Sequence, residues 1–345
     1  QIFYGAALVA SITIPKVTRD RFLKRRRTVL SAAGLSDGAC RHESQGVAMS
    51  VVEDLFDVRG RVALVTGGAS GLGYAFASIL AEAGATVVIA DWNAESLEKA
   101  VLALADAAAA ARAAAGLEPP AVERGETGGI KTPPLISGRG LDVSDAAAVH
   151  AFVDRIVDVH GKIDIVFANA GVARGRPPLL AEGWLDDMSM TDYNALIDVN
   201  LHGVVYTVQA AAKHMKRQRS GSIVTTASTA GLRNDPYTPY SYAIAKAGVV
   251  NFTKQAAHDL ARWNVRVNAI APGPFKTNLG GGAPTSAAAE EMWKAVVPLG
   301  RMGDPSEIKG LALLLASNAS SFMTGGVYPI DGGALLQGPS LPAID

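Results

Sequence analysis

The run Val62-Ala63-Leu64-Val65-Thr66-Gly67-Gly68-Ala69-Ser70-Gly71-Leu72-Gly73 constrains the fold more than any other stretch of the 345 residues. Consecutive apolar residues from Val62 to Val65 fit a strand buried on both faces, as strands of a covered parallel sheet are. The glycines then turn the chain into an apolar helix from Tyr74 to Ala83, and Gly84 stops it. A second strand, Thr86-Val87-Val88-Ile89-Ala90, follows. Strand, glycine turn, helix and strand form a βαβ unit, which requires a parallel sheet with helices on its faces. The same turn makes an anion site. Glycine backbone lets a pyrophosphate approach closely, and the free N–H groups and dipole of the helix N-terminus favour its charge. Thr66, Gly67, Ser70, Gly71, Leu72 and Gly73 are the expected contacts.

Asp91 ends the second strand, close to the ~20-residue spacing after the first glycine expected of a ribose-binding carboxylate. A carboxylate there accepts from the 2′-hydroxyl of NAD and repels the 2′-phosphate of NADP. Neither Trp92 nor Asn93 supplies a cation to offset that repulsion, so NAD is the expected cofactor.

A second constellation lies near the middle of the chain. The apolar run Ile223-Val224-Thr225-Thr226-Ala227 leads to Ser228, then a loop broken by Pro236 and Pro239, then a helix carrying Tyr242 and Lys246. Residues four apart share a helix face one turn from each other. A free phenol titrates near ~10 and is a poor base at neutrality. A neighbouring ammonium favours phenolate and draws the pKa down towards the operating range. Ser228, at the strand end, is placed to hydrogen-bond the oxygen whose proton is exchanged.

With the Gly-x-x-x-Gly-x-Gly turn and Tyr-x-x-x-Lys together, the sequence resembles the short-chain dehydrogenase/reductase family over about Val51 to Gly338. The resemblance implies a single doubly wound α/β domain of about seven parallel strands, with the ligand at their carboxyl ends. It also implies further site residues. Asn169-Ala170-Gly171 resembles the family's Asn-Asn-Ala-Gly signature on the cofactor side, with Ala168 in place of the first Asn. That replacement removes a bracing hydrogen bond at an expected small cost in stability. Asn200, mildly unfavourable inside a helix, corresponds to a residue that keeps a helix locally open and anchors a proton-relay water. Asp142 and Val143 correspond to the adenine contact, although an Asp before a helix is as naturally an N-cap, a job open also to Ser144 or Asp145. Pro272, Gly273 and Thr277 correspond to the loop that holds the nicotinamide carboxamide, and Lys246 also holds the nicotinamide ribose. Asp331-Gly332-Gly333 is another family feature, and Pro329 places the last strand at a sheet edge.

Three segments are expected to border a substrate pocket. Arg174, Arg176 and Trp184 follow Gly171; Arg233, Asn234 and Asp235 follow Ser228; and a lid from Leu279 to Val297 carries Met292 and Trp293. Polar and cationic groups beside an apolar wall suit a small polar substrate, such as a polyol, a sugar acid or a hydroxylated ring. The expected enzyme transfers a hydride reversibly between NAD and a secondary alcohol or ketone. The alternatives are an NADP-dependent 3-oxoacyl-type reductase and a non-catalytic NAD-binding regulator on the same fold.

Residues 1–48 stand apart from this pattern. The Arg21–Arg27 cluster fits an organellar targeting peptide better than an export signal, because Ser31 to Glu43 is short and polar for the latter. The preferred reading takes Met49 as the functional start of a cytoplasmic protein. Residues 97–140 read as a surface insertion, alanine-rich and then punctuated by Pro119-Pro120, Gly128-Gly129 and Pro133-Pro134, and residues 339–345 as a tail. Thirty-two basic and 32 acidic side chains balance, with no basic stripe, which argues against nucleic acid as a partner. No apolar run approaches the ~20 residues of a spanning helix, so no membrane association is expected. Cys40 is the only cysteine, which excludes an internal disulfide. No metal site is expected. A homo-oligomer, tetramer or dimer, is expected to form through the long paired helices.

Overall fold

The computed structural model describes residues 51–114, 135–277 and 287–336. Leu55–Asp345 is one compact unit; residues 51–54 belong to a separate unit, Gln1–Asp54, the rest of which lies outside the described residues. The N-terminal extension of residues 1–48, and Leu279, lie outside the described residues.

Seven parallel strands form one sheet: β1 (Val62–Thr66), β2 (Thr86–Asp91), β3 (Ile136–Gly140), β4 (Ile165–Ala168), β5 (Gly221–Thr226), β6 (Val265–Pro272) and β7 (Val327–Ile330). Their order is β3-β2-β1-β4-β5-β6-β7, so chain direction across the sheet reverses between β1 and β4. That switch point opens a crevice at the carboxyl ends, where α/β folds bind ligands.

The helices divide between the two faces. On one side lie α1 (Gly71–Glu82), α2 (Ala94–Ala114) and α8 (Lys309–Ala316), which bury Phe76, Leu80, Leu104 and Leu315 against the sheet. Phe76 stacks on Phe167 of β4 with ring centroids 4.8 Å apart. On the other side lie α3 (Ala146–His160), α4 (Met190–Ile197), α5 (Gly203–Gln218) and α6 (Tyr240–Leu260). Of these, α3, α5 and α6 bury Val153, Met215 and Val249 against the sheet. A further helix, α7 (Ala287–Val296), follows β6. Both faces being covered explains why the central strands are apolar at successive positions. Pro329 lies in β7, the edge strand, where its missing N–H breaks no ladder.

The span 97–140 is not a surface insertion as a whole. Its first part continues α2, whose Leu97, Ala100, Val101, Leu104 and Ala108 are buried against β2 and β3. Its last five residues are β3, paired with β2 from Val87↔Ile136 to Asp91↔Gly140. Alanine is small enough to let a helix sit close to a sheet, so an alanine-rich run conceals a buried face. Residues 115–134 lie outside the described residues.

Candidate active site

The cofactor side starts at the β1–α1 turn. Thr66 Oγ1 accepts from the backbone N–H of Asn169 (3.0 Å) and Ala170 (3.2 Å), tying the ends of β1 and β4 together across the switch point. Asn169 donates to the carbonyls of Thr66 (3.0 Å) and Gly67 (3.3 Å) and accepts from Thr226 Oγ1 (3.0 Å). One side chain thus bridges three strand ends. The glycines are dictated by space: a Cβ on Gly73 would lie 1.9 Å from the Gly67 carbonyl oxygen, and one on Gly67 2.8 Å from Ala170 Cα. Ser70 is the N-cap of α1 but makes no side-chain capping bond, and the first turn carries no acid. Its N–H groups are free of competition from a side-chain cap, which fits an anionic ligand.

Asp91 is 9% exposed at the end of β2. Its two oxygens accept from the backbone N–H of Ala69 (3.1 Å) and Asn93 (3.1 Å), which fixes the carboxylate beside the glycine turn. A carboxylate has about four acceptor positions, so capacity remains for a ribose diol. Across the crevice, the position of a Cβ on Gly71 is 3.5 Å from the Thr277 side chain. The first turn of α1 and the loop after β6 therefore face each other at the width of one contact. Gly273 donates its N–H to the Ile330 carbonyl (3.0 Å), and the Asp331 carboxylate accepts from Gly333 and Leu335 N–H, which anchors that loop to the end of β7. Asp142 is not the N-cap of α3. Asp145 takes that position and accepts from Ala148 N–H, while Asp142 accepts from Ser144. Val143 is buried against Gly203.

The proton-transfer side is assembled from β5, α6 and an irregular helix. Ser228 follows β5 and accepts from Ala230 N–H (3.1 Å), so its hydroxyl is fixed at the start of the loop. Its hydroxyl is near enough to Tyr242 to draw the phenol pKa down. Lys246 is 3% exposed, donates to the Thr226 carbonyl (2.8 Å) and places Nζ 5.7 Å from the centre of the Tyr242 ring. The three residues meet as expected. The electrostatics differ from the expectation of a depressed phenol. Burial pushes Tyr242 above its ordinary value, the Ser228 hydroxyl pulls it partway back, and the Asp235 carboxylate adds to the rise. Burial brings the Lys246 ammonium down to about 8. The physical reason is desolvation of both groups, with the ammonium directed at a backbone carbonyl and not at the phenol oxygen.

Between α4 and α5, residues Asp198–His202 form a π-turn that opens the helix, as the resemblance implies. Asn200 within it is fully buried. Its Oδ1 accepts from Val172 N–H (2.8 Å) and its Nδ2 donates to the Val172 carbonyl (2.9 Å). The side chain braces the loop after Gly171 with one acceptor and one donor position, which leaves one of each. Ala168 is completely buried among apolar neighbours, and the only buried side-chain polar atom without a partner among the described residues is Trp263 Nε1, far from this position in sequence.

A cavity of about 290 Å³ is lined by Arg174 and Arg176 from the loop after β4 and by Tyr240 and Ser241 at the start of α6; Ser228, Tyr242 and Lys246 are not in its lining. Trp184, Arg233, Asn234, Asp235, Met292 and Trp293 do not line it. Trp293 of α7 packs on Tyr237, with ring centroids 5.8 Å apart. Thr226 was not anticipated from sequence; a threonine at a strand end carries no signal until its neighbours Asn169 and Lys246 are known. Among the described residues no group of three or more His, Cys, Asp or Glu is placed to hold a metal, and no helix is long and apolar enough to cross a membrane.

Residues 61–119 match the family described as short chain dehydrogenase, and residues 131–334 match the one described as enoyl-(acyl carrier protein) reductase. This chain belongs to the short-chain dehydrogenase/reductase family. It is 36% identical over 279 residues to a 3-oxoacyl-[acyl-carrier-protein] reductase of Thermotoga maritima, covering 81% of this chain and 99% of that one. It is also 36% identical to a cyclohexanol dehydrogenase of Rhodococcus, over 81% of this chain and 98% of the relative. Among solved structures, a gluconate 5-dehydrogenase of Burkholderia cenocepacia in complex with NADP and tartrate superposes with a TM-score of 0.68 at 33% identity, covering 82% and 98% of the two chains. The chain is thus an oxidoreductase of alcohols or ketones on a fold that binds a nicotinamide cofactor.

Proposed function

We propose that this enzyme transfers a hydride reversibly between NAD and a secondary alcohol or its ketone, with a small polar substrate. The observation that carries the reading is the convergence of Ser228, Tyr242 and Lys246 at the carboxyl ends of the strands, beside a glycine turn whose neighbouring carboxylate is Asp91. The nicotinamide, when bound, accepts and returns the hydride. The glycine turn and α1 N-terminus would hold the pyrophosphate, Asp91 the adenosine ribose, Tyr242 and Lys246 the nicotinamide ribose, and Thr277 the carboxamide. Ser228 donates to the substrate oxygen, and Tyr242 takes the hydroxyl proton during oxidation and returns it during reduction. Because burial raises the phenol, oxidation should speed up as pH rises above neutrality, whereas reduction, which needs the protonated phenol, should not.

One relative is solved in complex with NADP, and another is a reductase of acyl-carrier substrates. Asp91 favours NAD here because a buried carboxylate already held by two N–H groups cannot turn away from a 2′-phosphate. Initial rates with NAD and NADP, each against polyols, sugar acids, cyclic alcohols and 3-hydroxyacyl thioesters, test the reading. A higher kcat/KM with NADP, or with a thioester, would overturn the cofactor or the substrate assignment respectively. We also propose a homo-oligomer, for which light scattering is the direct measurement.

A further inference from the structure

The cavity beside Ser241 carries more polar chemistry than hydride transfer requires. Its charged residues are Arg174, Arg176, Glu182 and Asp192, two of each sign. Arg174 Nε lies 3.9 Å from Asp192 Oδ1, so those two compensate each other. Arg176 and Glu182 have no ion-pair or hydrogen-bond partner among the described residues and line the same space. Half-buried Tyr193 and Tyr240 add hydroxyls on aromatic faces, and Ser189 and Ser241 add two more. Two of the lining residues are chain neighbours of site residues. Ala173 follows Val172, which Asn200 braces, and Ser241 precedes Tyr242.

We propose that this cavity is a subsite for an uncharged, polyhydroxylated part of the substrate, with Arg176 and Glu182 as its principal donor and acceptor. Arg176 offers N–H groups in a fork and Glu182 offers acceptors. A chain of hydroxyls, each both donor and acceptor, satisfies the two together. A carboxylate would be attracted to Arg176 and repelled by Glu182, and an acyl chain lying across these two exposed charges would strip their water and offer no partner in return. The cavity's balanced charge therefore selects against anions and against lipids, and narrows the substrate to a polyol or a neutral sugar. The choice of substrate rests on the hydride-transfer reading; the binding of hydroxyls does not.

The experiment separates the two. Titration calorimetry with a linear alditol, the aldonic acid of equal length and cyclohexanol is run on the NAD-loaded wild type, Arg176→Gln and Glu182→Gln, and turnover is measured on the same samples. We expect the alditol to bind most tightly, and each substitution to weaken it by about ten- to a hundredfold, as loss of a charge-assisted hydrogen bond does. The ratio of alditol to cyclohexanol in kcat/KM should fall in both variants, and Glu182→Gln should raise affinity for the acid. Alditol binding that both substitutions leave unchanged overturns the subsite, as does tighter binding of the acid by the wild type. Alditol binding that responds to both substitutions without turnover on any alcohol keeps the subsite and overturns hydride transfer.

Discussion

On the glycine-turn side of the crevice, a Cβ at Gly73 would come within 1.9 Å of the Gly67 carbonyl oxygen, and Asn169 directs its amide to backbone and Thr226. On the substrate side, Arg176 and Glu182 line an open cavity with no partner among the described residues. On the proposed reading the first wall would recognise its ligand with backbone, which tolerates few residue types at each position. The second recognises with side chains, which can be exchanged without moving the chain. That division would let substrates diverge on one fold. The relatives named above, from a cyclohexanol dehydrogenase to a gluconate 5-dehydrogenase, differ in their substrates while sharing one fold.

The sharpest separation of the two walls comes from Tyr242→Phe. It removes the proton-transfer group without touching the glycine turn, so kcat should fall by roughly 10²–10⁴-fold with NAD affinity within a few-fold. Near-normal turnover would dissolve the distinction, and would direct attention to Tyr240.

Next in size, Gly73→Ala should break the cofactor wall. Its Cβ meets backbone, so the turn must shift, costing about 1–3 kcal/mol or more and most of the NAD affinity. Gly310→Ala in α8, where a Cβ meets nothing within 4 Å, is the control and should gain up to ~1 kcal/mol from helix propensity. Urea denaturation with fluorescence titration of NAD would read both. Equal behaviour of the two variants would mean that close packing does not govern this wall.

Asp91→Ser combined with Trp92→Arg should shift preference towards NADP. The exchange removes a repulsion and adds a cation at a side chain that is 77% exposed and so has room to reach a phosphate. The ratio of kcat/KM for the two cofactors is the measure, and an unchanged ratio would show that Asp91 does not discriminate.

The smallest effect is one of pH. Lys246 titrates at about 8 in the fold, below its ordinary 10.5. Between those values the unfolded chain binds more protons, so its contribution to stability rises as pH increases from 8 to 10.5 and is lost as pH falls back through 8. Wild type should therefore gain on Lys246→Met over that window. Parallel unfolding curves for the two proteins across it would show that the ammonium is not desolvated.

How far the sequence could be read follows the same division. The β1–α1 turn, Asp91, Ser228, Tyr242 and Lys246 were visible, because each needs specific residue types at fixed spacing, whereas β3 was read as part of an insertion. The alanine-rich face of α2 was not, since small residues pack closely without an obvious apolar stripe. The raised phenol escaped too. Desolvation depends on what the rest of the chain lays over Tyr242, and helix spacing reports only Lys246. The pairing of Thr226 with both Asn169 and Lys246 joins positions far apart in sequence through the order of the strands, which no local pattern contains.

The π-turn at Asp198–His202 sets the phase of everything after it. A single-turn widening of this kind places one more residue in the helix than regular winding would hold. Each residue advances the winding by about 100°. The faces of α4 and α5 are therefore offset by that angle, and a repeat followed from Met190 to Gln218 loses step at Asn200. Removing one residue there would let the helix close regularly and satisfy its own ladder. It would also carry Asn200 round the barrel of the helix and away from Val172. The chain keeps a locally less regular helix, and in return the loop entering the substrate cavity is pinned to the centre of the molecule.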